Sequence, residues 1–488
     1  PPCMIQIFNT LSREKEPFKP LKQEIVKIYS CGPTPYNFAH IGNMRAYLFE
    51  DLVIRTIEYA GYKTQTVMNI TDIDDKTIRD SQANNISRDE LTQKYTQAFL
   101  SDLDLLNIHR AHDIVPISTL VDEMVTMIQW LIDKGYAYLA DDGSVYYSVD
   151  KFANYGKLAH IDRSNLISGV RIKNDEYSKD QASDFALWKW YDISDGPNFW
   201  EPIFRINDTE VKLKWRPGWH IECSACNLKY LGEQIDIHMG AVDNIFPHHQ
   251  NEIAQTESYT GKTFSKYWLH AGHLLVDNKK MAKSAGNFYT LQDIIQEWAK
   301  LGLDAKMVAR SFRLMTLQSL YRDNFNFGFD RLVSCGATIR SFDDFFRRLQ
   351  RTDFPTGKVR RNFSSNLQAV IQDYSECIFD DFRSNDALVS VHEAIGYFQR
   401  EIDMGSLNLS EKNAIVSLFE TLDSVLGIFD FSLLEWEDIS DEIRLLAESR
   451  CEAKKEKRYS DADTIRQSIE ELGYRVIDTT TGYSIEKI

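Results

Sequence analysis

Cysteine is sparse in this chain of 488 residues: there are seven, an odd number at irregular spacing. That excludes a disulfide framework and leaves thiols or metal ligands in a reducing, cytoplasmic setting. Long apolar runs are missing too. No stretch of ~18 uncharged apolar residues occurs, so no membrane-spanning helix is expected. The first residues, Pro1-Pro2-Cys3-Met4-Ile5, lack the charged-then-apolar pattern of a secretory signal and lack an initiating Met. Positive charge is also short: 56 Lys and Arg face 72 Asp and Glu, a net charge of −16. This argues against indiscriminate nucleic-acid binding, while a local basic face could still serve a specific RNA. What is present, 43% hydrophobic residues with 12% aromatic, suffices for a large core. The length calls for about two to four domains.

An apolar run from Ile25 to Tyr29 opens a strand–loop–helix. Ala46, Phe49, Val53 and Ile57 keep near-helical spacing, Gly61 ends that helix, and a second strand runs Thr64 to Ile70. Strand–helix–strand order predicts an α/β catalytic domain with a doubly wound, Rossmann-like parallel sheet over 1–300. The alternation breaks in an inserted subdomain at about 110–217. It holds β-rich pieces such as Val145-Tyr146-Tyr147, a charged stretch from Arg171 to Asp184, and a cluster of Trp188, Trp190, Trp200 and Trp215. Trp188, Trp190 and Trp215 could stack RNA bases, but aromatic clusters are more often core. A third strand is expected at Ile235–His238, then a helix from Pro247 to about Tyr259. Residues 301–350 read as a helical connector, 351–437 as a helical bundle, and 438–488 as a small mixed unit of helix, turn, helix and strand.

Two short segments far apart in the chain carry the first chemistry. His40-Ile41-Gly42-Asn43 opens a helix after the first strand, and Lys280-Met281-Ala282-Lys283-Ser284 follows an apolar stretch from Trp268 to Val276. A helix N-terminus offers free N–H groups and a positive dipole end to phosphate. Lysines supply compact positive charge for a phosphoryl group that becomes more negative during transfer. Cys31, Cys223, His248 and Glu252 form a possible metal set. The last two are four apart and would share a helix face. Spacing alone leaves other readings open. A His–Glu pair on a helix is often a surface pair, and Cys223-Ser224-Ala225-Cys226 is a rival zinc pair that lacks a second close pair. Asp72, Asp74 and Asp75 resemble a metal cluster, but Thr71 or Asp72 as a helix cap is the better reading.

The paired segments resemble the HIGH and KMSKS signatures of class I aminoacyl-tRNA synthetases. Tyr29 to Asn37, Asn69 to Lys76, Arg216 to Ala225, Phe246 to Glu252 and the lysine loop through Gly286-Asn287 narrow the likeness to the cysteinyl-tRNA synthetases, across nearly the whole chain. The resemblance implies cysteine activation with ATP, then transfer to the terminal ribose of tRNA(Cys) by a monomer. It implies one Zn²⁺ on Cys31, Cys223, His248 and Glu252 that takes the substrate sulfur, with Mg²⁺ arriving on ATP. His40, Gly42, Asn43, Lys280 and Lys283 would hold ATP, and Thr71, Trp219 and His238 would line the amino-acid pocket. The bundle at 351–437 would read the anticodon, and the tail, with Lys454-Lys455-Glu456-Lys457-Arg458, would contact tRNA. The chain departs from the pattern at Ala282, at Met239 and Ala241 after His238, at Gln250, and at Cys226. Two rival functions remain: an ATP-dependent cysteine ligase acting on a small amino-sugar acceptor, which residues 360–488 count against, and a catalytically silent RNA-binding relative.

Overall fold

The computed structural model describes residues 4–167, 169–212, 214–435, 439–479 and 482–487. In chain order it begins with a hairpin, β1 (Gln6–Asn9) and β2 (Glu14–Pro17), followed by β3 (Val26–Ser30), α1 (Ile41–Tyr59), β4 (Thr64–Ile70), α2 (Asp75–Ala83), α3 (Arg88–Leu105) and β5 (Asp113–Pro116). Next come α4 (Val121–Asp133) and the strands β6 (Ala137–Leu139), β7 (Val145–Tyr147), β8 (Arg171–Ile172), β9 (Asp184–Trp190), β10 (Ile203–Ile206), β11 (Thr209–Lys212) and β12 (Trp215–Pro217). The chain then runs α5 (Trp219–Tyr230), β13 (Ile235–Ala241), α6 (Gln250–Thr260), β14 (Ser265–Ala271), β15 (Leu274–Val276) and β16 (Lys279–Lys280).

β3, β4, β5, β13 and β14 make one five-stranded sheet in the order β14-β13-β3-β4-β5. Every pairing in it is parallel. Parallel strands need crossovers that cover both faces, so these strands are buried even where polar residues such as Asn69, Asp236 and His238 interrupt their apolar runs. Val26, Ile28, Tyr29, Ile235, Ile237 and Leu269 are all buried. From β3 the chain winds outward through β4 to β5, then returns to β3's other side with β13 and continues to β14. The winding therefore reverses between β3 and β13, where an open α/β sheet leaves a crevice at its carboxyl edge. Register pairs His238 with Tyr29 and Met239 with Ser30, so the ends of β3 and β13 adjoin.

The chain leaves this sheet after Pro116 and builds a second, with β12-β9-β7-β6 in order and β8 beside β9. Trp188 and Trp215 are fully buried in its core, and Trp190 packs against them. The aromatic cluster is a packing device at these positions. The stretch around 191–215 contains the β10–β11 hairpin, whose register runs Ile203 to Lys212.

After the lysine loop, α7 (Leu291–Ala299) and α8 (Ala305–Leu317) lead to a short strand, β17 (Phe325–Phe327), that pairs with β15. No strand was expected there. Three residues flanked by helices carry too little period-2 signal to stand out. The helices α9 (Phe329–Arg351), α10 (Arg361–Phe379), α11 (Ser384–Asp403) and α12 (Leu409–Leu426) follow in order. The chain divides into one compact unit, Pro1–Phe345 with Asp353–Phe429, and a second, Phe346–Thr352 with Asp430–Ile488. The second contains α13 (Asp441–Lys455), α14 (Tyr459–Glu471) and an antiparallel pair, β18 (Tyr474–Thr479) and β19 (Gly482–Lys487). Ile443, Ala447, Ile469 and Val476 form its own small core. Arg450 makes two hydrogen bonds to Asp478, at 2.9 and 3.1 Å, and Lys454 adds one at 2.6 Å.

Candidate functional site

Two constellations meet at the carboxyl edge of the parallel sheet. The first is the N-terminus of α1. His40 is its cap: the ring Nδ1 accepts the backbone N–H of Asn43 at 3.1 Å, and Asn43 Oδ1 accepts the backbone N–H of His40 at 3.3 Å. This reciprocal pair braces the first turn, where Asn43 N–H also reaches the His40 carbonyl oxygen at 3.0 Å. It also fixes the imidazole tautomer. A backbone N–H can only donate, so Nδ1 is the acceptor and Nε2 carries the proton. Burial pushes the His40 pKa down to about 4, so the ring is a neutral donor near neutral pH. Gly42 is the second residue of α1. A Cβ there would lie 2.9 Å from the His40 ring and 2.9 Å from the Met281 methyl, so the glycine lets the lysine loop pack onto the helix start.

The lysine loop reaches this helix through the backbone. Ile41 N–H donates to Tyr289 carbonyl oxygen at 2.9 Å, and Phe288 packs edge-on against His40. Within the loop, Asn287 accepts from Ala282 N–H and donates to Lys280 carbonyl oxygen, bracing the turn from both sides. His40, Asn43, Lys76 and Lys283 line one cavity with Tyr36, Tyr95 and Phe288. Lys283 lies over the Phe288 ring. Lys280 pairs with Asp243 at 3.2 Å, an exposed contact that competing anions can displace.

The second constellation is fully enclosed. Cys31 follows β3, Cys223 lies on α5, His248 precedes α6, and Glu252 lies on its first turn; one donor atom from each falls within 4.8 Å of all the others. The two sulfurs are 3.9 Å apart. A tetrahedral ion with bonds of ~2.3 Å to sulfur sets its ligands ~3.8 Å apart, so the spacing suits Zn²⁺. His248 Nε2 is 3.3 Å from Cys223 Sγ and 2.9 Å from Glu252 Oε1. Burial drives the Cys31 thiol well up and the Glu252 carboxyl to about 8. Two thiols and a carboxyl in one dry pocket can ionise together only with a cation among them, which is the charge a divalent metal brings. Cys31, His238, His249 and Glu252 form a second convergent set. Within it His238 Nε2 lies 2.8 Å from Glu252 Oε2, and His249 Nε2 lies 3.5 Å from Cys31 Sγ.

Of the pocket-lining residues expected, Trp219 stacks on the His248 ring at 3.9 Å between centroids, and Thr71 is buried at the end of β4. The cap of α2 is neither Thr71 nor Asp72 but Asp74, which accepts Lys76 N–H while its own N–H donates to Thr77. Asp72 instead accepts from Ser118 N–H at 2.9 Å. Three supporting residues went unread in the sequence. His220 Nδ1 lies 3.0 Å from His248 Nδ1 and leaves Nε2 of His248 to face the cluster. His270 holds His249 at 2.7 Å. Asn69 bonds both Gly32 and Thr71. Each acts across separate elements, and no local spacing marks it.

The family model for the class I (C) tRNA synthetase catalytic domain matches residues 17–334. A cysteine–tRNA ligase of Chlamydia muridarum is 42% identical over 492 residues, covering 99% of this chain and 99% of its own. The chain belongs to the cysteine–tRNA ligase family. A cysteine–tRNA ligase of Brachyspira hyodysenteriae is 40% identical and covers 98% of both chains. The fold is shared more widely. The crystal structure of Mycobacterium tuberculosis methionyl-tRNA synthetase bound by methionyl-adenylate superposes with a TM-score of 0.55 at 12% identity, over 84% of this chain and 90% of that one. Membership in the cysteine–tRNA ligases thus rests on sequence along the whole chain, and the doubly wound fold agrees with it.

Proposed function

We propose that this chain activates L-cysteine with ATP, giving cysteinyl-adenylate and pyrophosphate, and then transfers cysteine to the 3′-terminal ribose of tRNA(Cys). The observation that carries the reading is the meeting of two parts at one sheet edge. A buried Cys31–Cys223–His248–Glu252 cluster lies at the carboxyl edge where the cavity formed by His40, Asn43 and Lys283 also opens. The four side chains would hold Zn²⁺, which would supply a preference for sulfur over hydroxyl, a discrimination between cysteine and serine that shape alone does not supply. His238 and His220 keep Glu252 and His248 turned toward it. Thr71 and Trp219 line the space for the rest of the amino acid.

The chain's own groups prepare the phosphoryl transfer. The neutral His40 donates its Nε2–H to a phosphate oxygen, and the N-terminal end of α1 adds its positive dipole. Lys280 leaves Asp243 to meet the departing phosphates, and Lys283 neutralises their growing charge. Mg²⁺ enters with the nucleotide. Residues 301–350 connect to the acceptor end, 351–437 bind the anticodon region, and 438–488 add a tRNA contact through the basic run near Lys454. The reading has the protein work as a cytoplasmic monomer.

The test is ATP–pyrophosphate exchange by the zinc-loaded protein with cysteine and with serine, alongside metal analysis and tRNA charging. Exchange dependent on cysteine, absent with serine and lost with the metal, is expected. Exchange independent of cysteine would overturn the reading.

A further inference from the structure

The turn that carries Cys31 and the loop that carries Thr71 share one side chain. Asn69 is fully buried near the end of β4. Its Oδ1 accepts the backbone N–H of Gly32 and the hydroxyl of Tyr29, each at 2.9 Å, and its Nδ2 donates to Thr71 Oγ1 at 3.0 Å. The amide has no choice of orientation. The backbone N–H of Gly32 can only donate, so the atom facing it is the oxygen, and the nitrogen faces Thr71. Thr71 Oγ1 is therefore an acceptor in this bond, and its own proton is left for another group. The backbone closes the same link from the other side. Thr71 N–H donates to Pro33 carbonyl oxygen at 3.0 Å. Gly32 lies so close to strand β4 that a Cβ would sit 1.6 Å from Asn69 carbonyl oxygen. Residues 31–33 and 69–71 are thus held as one piece.

We infer that Asn69 is a specificity-determining positioning residue: its amide sets the separation between the Cys31 sulfur and the Thr71 hydroxyl, and so fixes the length of amino acid that fits between them. The inference rests on the proposal that Cys31 binds the metal and Thr71 lines the amino-acid pocket. A metal floor ranks sulfur above oxygen but does not measure length. Homocysteine carries the same sulfur one methylene further from its α-carbon, and one methylene in a pocket is worth ~10–200-fold. A rigid link across the pocket realises that discrimination, and a loose one gives it away.

The test is Asn69→Asp. The variant keeps the shape and the acceptor for Gly32 and Tyr29, but replaces the donor toward Thr71 with an oxygen. In ATP–pyrophosphate exchange the cysteine KM should rise about tenfold while the ATP KM moves less than about twofold, as expected for one buried hydrogen bond. Metal content should stay at the wild-type level, and the preference for cysteine over homocysteine in kcat/KM should fall about tenfold. Combined with Thr71→Val, the effects on cysteine KM should be non-additive. An unmoved cysteine KM, equal rises for cysteine and ATP, or additive effects would each overturn the inference. Should Asn69→Asp fail to fold, Asn69→Ser decides, since it withdraws the donor from Thr71 without adding a charge: the cysteine KM should again rise about tenfold with the ATP KM within about twofold, and an unmoved cysteine KM would refute the grip. Absence of cysteine-dependent exchange in the wild type would sink the functional reading itself, whereas normal wild-type exchange with an unaffected Asn69→Asp sinks only this inference.

Discussion

Gly32→Ala tests the packing on which the site stands. A Cβ at this position would lie 1.6 Å from Asn69 carbonyl oxygen, 2.8 Å from its carbonyl carbon and 3.0 Å from Met68 Cγ. Cβ contacts under 3.0 Å essentially never occur, so the turn must retreat by at least 3.0 − 1.6 = 1.4 Å. Backbone in a central strand cannot yield as the tip of a side chain would. The retreat pulls Gly32 N–H off Asn69 Oδ1, a bond of 2.9 Å. An orphaned buried donor costs ~1–3 kcal/mol, and forced overpacking costs ~1–3 kcal/mol more. The total of about 2–6 kcal/mol is a large share of a typical stability of ~5–15 kcal/mol. Urea unfolding followed by tryptophan fluorescence should show an earlier first transition, and bound zinc per chain should fall because Cys31 moves with the turn. Gly336→Ala is the control. Its Cβ would meet nothing nearer than 3.5 Å inside α9, so stability should hold or rise slightly. A Gly32→Ala protein with the wild-type midpoint and a full complement of metal would refute the steric argument.

Lys283→Ala should lower kcat for pyrophosphate exchange by about 10²-fold or more while leaving the cysteine dissociation constant nearly unchanged, because its charge is needed most as the phosphates depart; equilibrium binding beside exchange kinetics checks this. Arg313→Met should cost about 3–5 kcal/mol in denaturant unfolding, because Arg313 is buried and donates to Asp51, Leu426 carbonyl oxygen and the carbonyls of Leu106 and Asn107. Glu257 has its carboxyl pushed up by burial from 4.5 to about 7, with Lys157 opposing only weakly. The folded state then holds a proton that the unfolded chain releases, so stability falls as pH rises from about 4.5 to about 7. Glu257→Gln should flatten that part of the stability–pH curve and gain about 1–3 kcal/mol at pH 8, read from unfolding midpoints at pH 4.5 and 8.

Much of the fold was legible because its signals are local. The β4 strand at Thr64–Ile70 and α6 ending near Tyr259 follow from runs and periodicity that a few consecutive residues display. The short β17 and the second strand of the C-terminal pair escaped, since their pairing partners alone make them strands. The cap of α2, expected at Thr71 or Asp72, lies at Asp74. Asp72, Asp74 and Asp75 are equivalent as letters, and contacts with Ser118 and Arg88 draw Asp72 away. In the site, the residue types announced themselves: paired lysines, a helix-opening histidine, and sulfur, imidazole and carboxylate in one chain. Their supports did not. His220, His270 and Asn69 act through neighbours that are near in space and remote in sequence.

The sequence by itself determined the inventory: which groups could hold a phosphate, which could hold an ion, and which runs must be buried strands or amphipathic helices. Those are properties of single residues and of spacing within a turn or a strand. The tertiary structure alone decided that Cys31 and Cys223, 192 positions apart, stand 3.9 Å from each other, and that the lysine loop closes onto the start of α1. Both follow from the reversal of winding between β3 and β13. That reversal is a matter of which strands pair, and strand pairing is settled by burial summed over the whole sheet rather than by any segment of it.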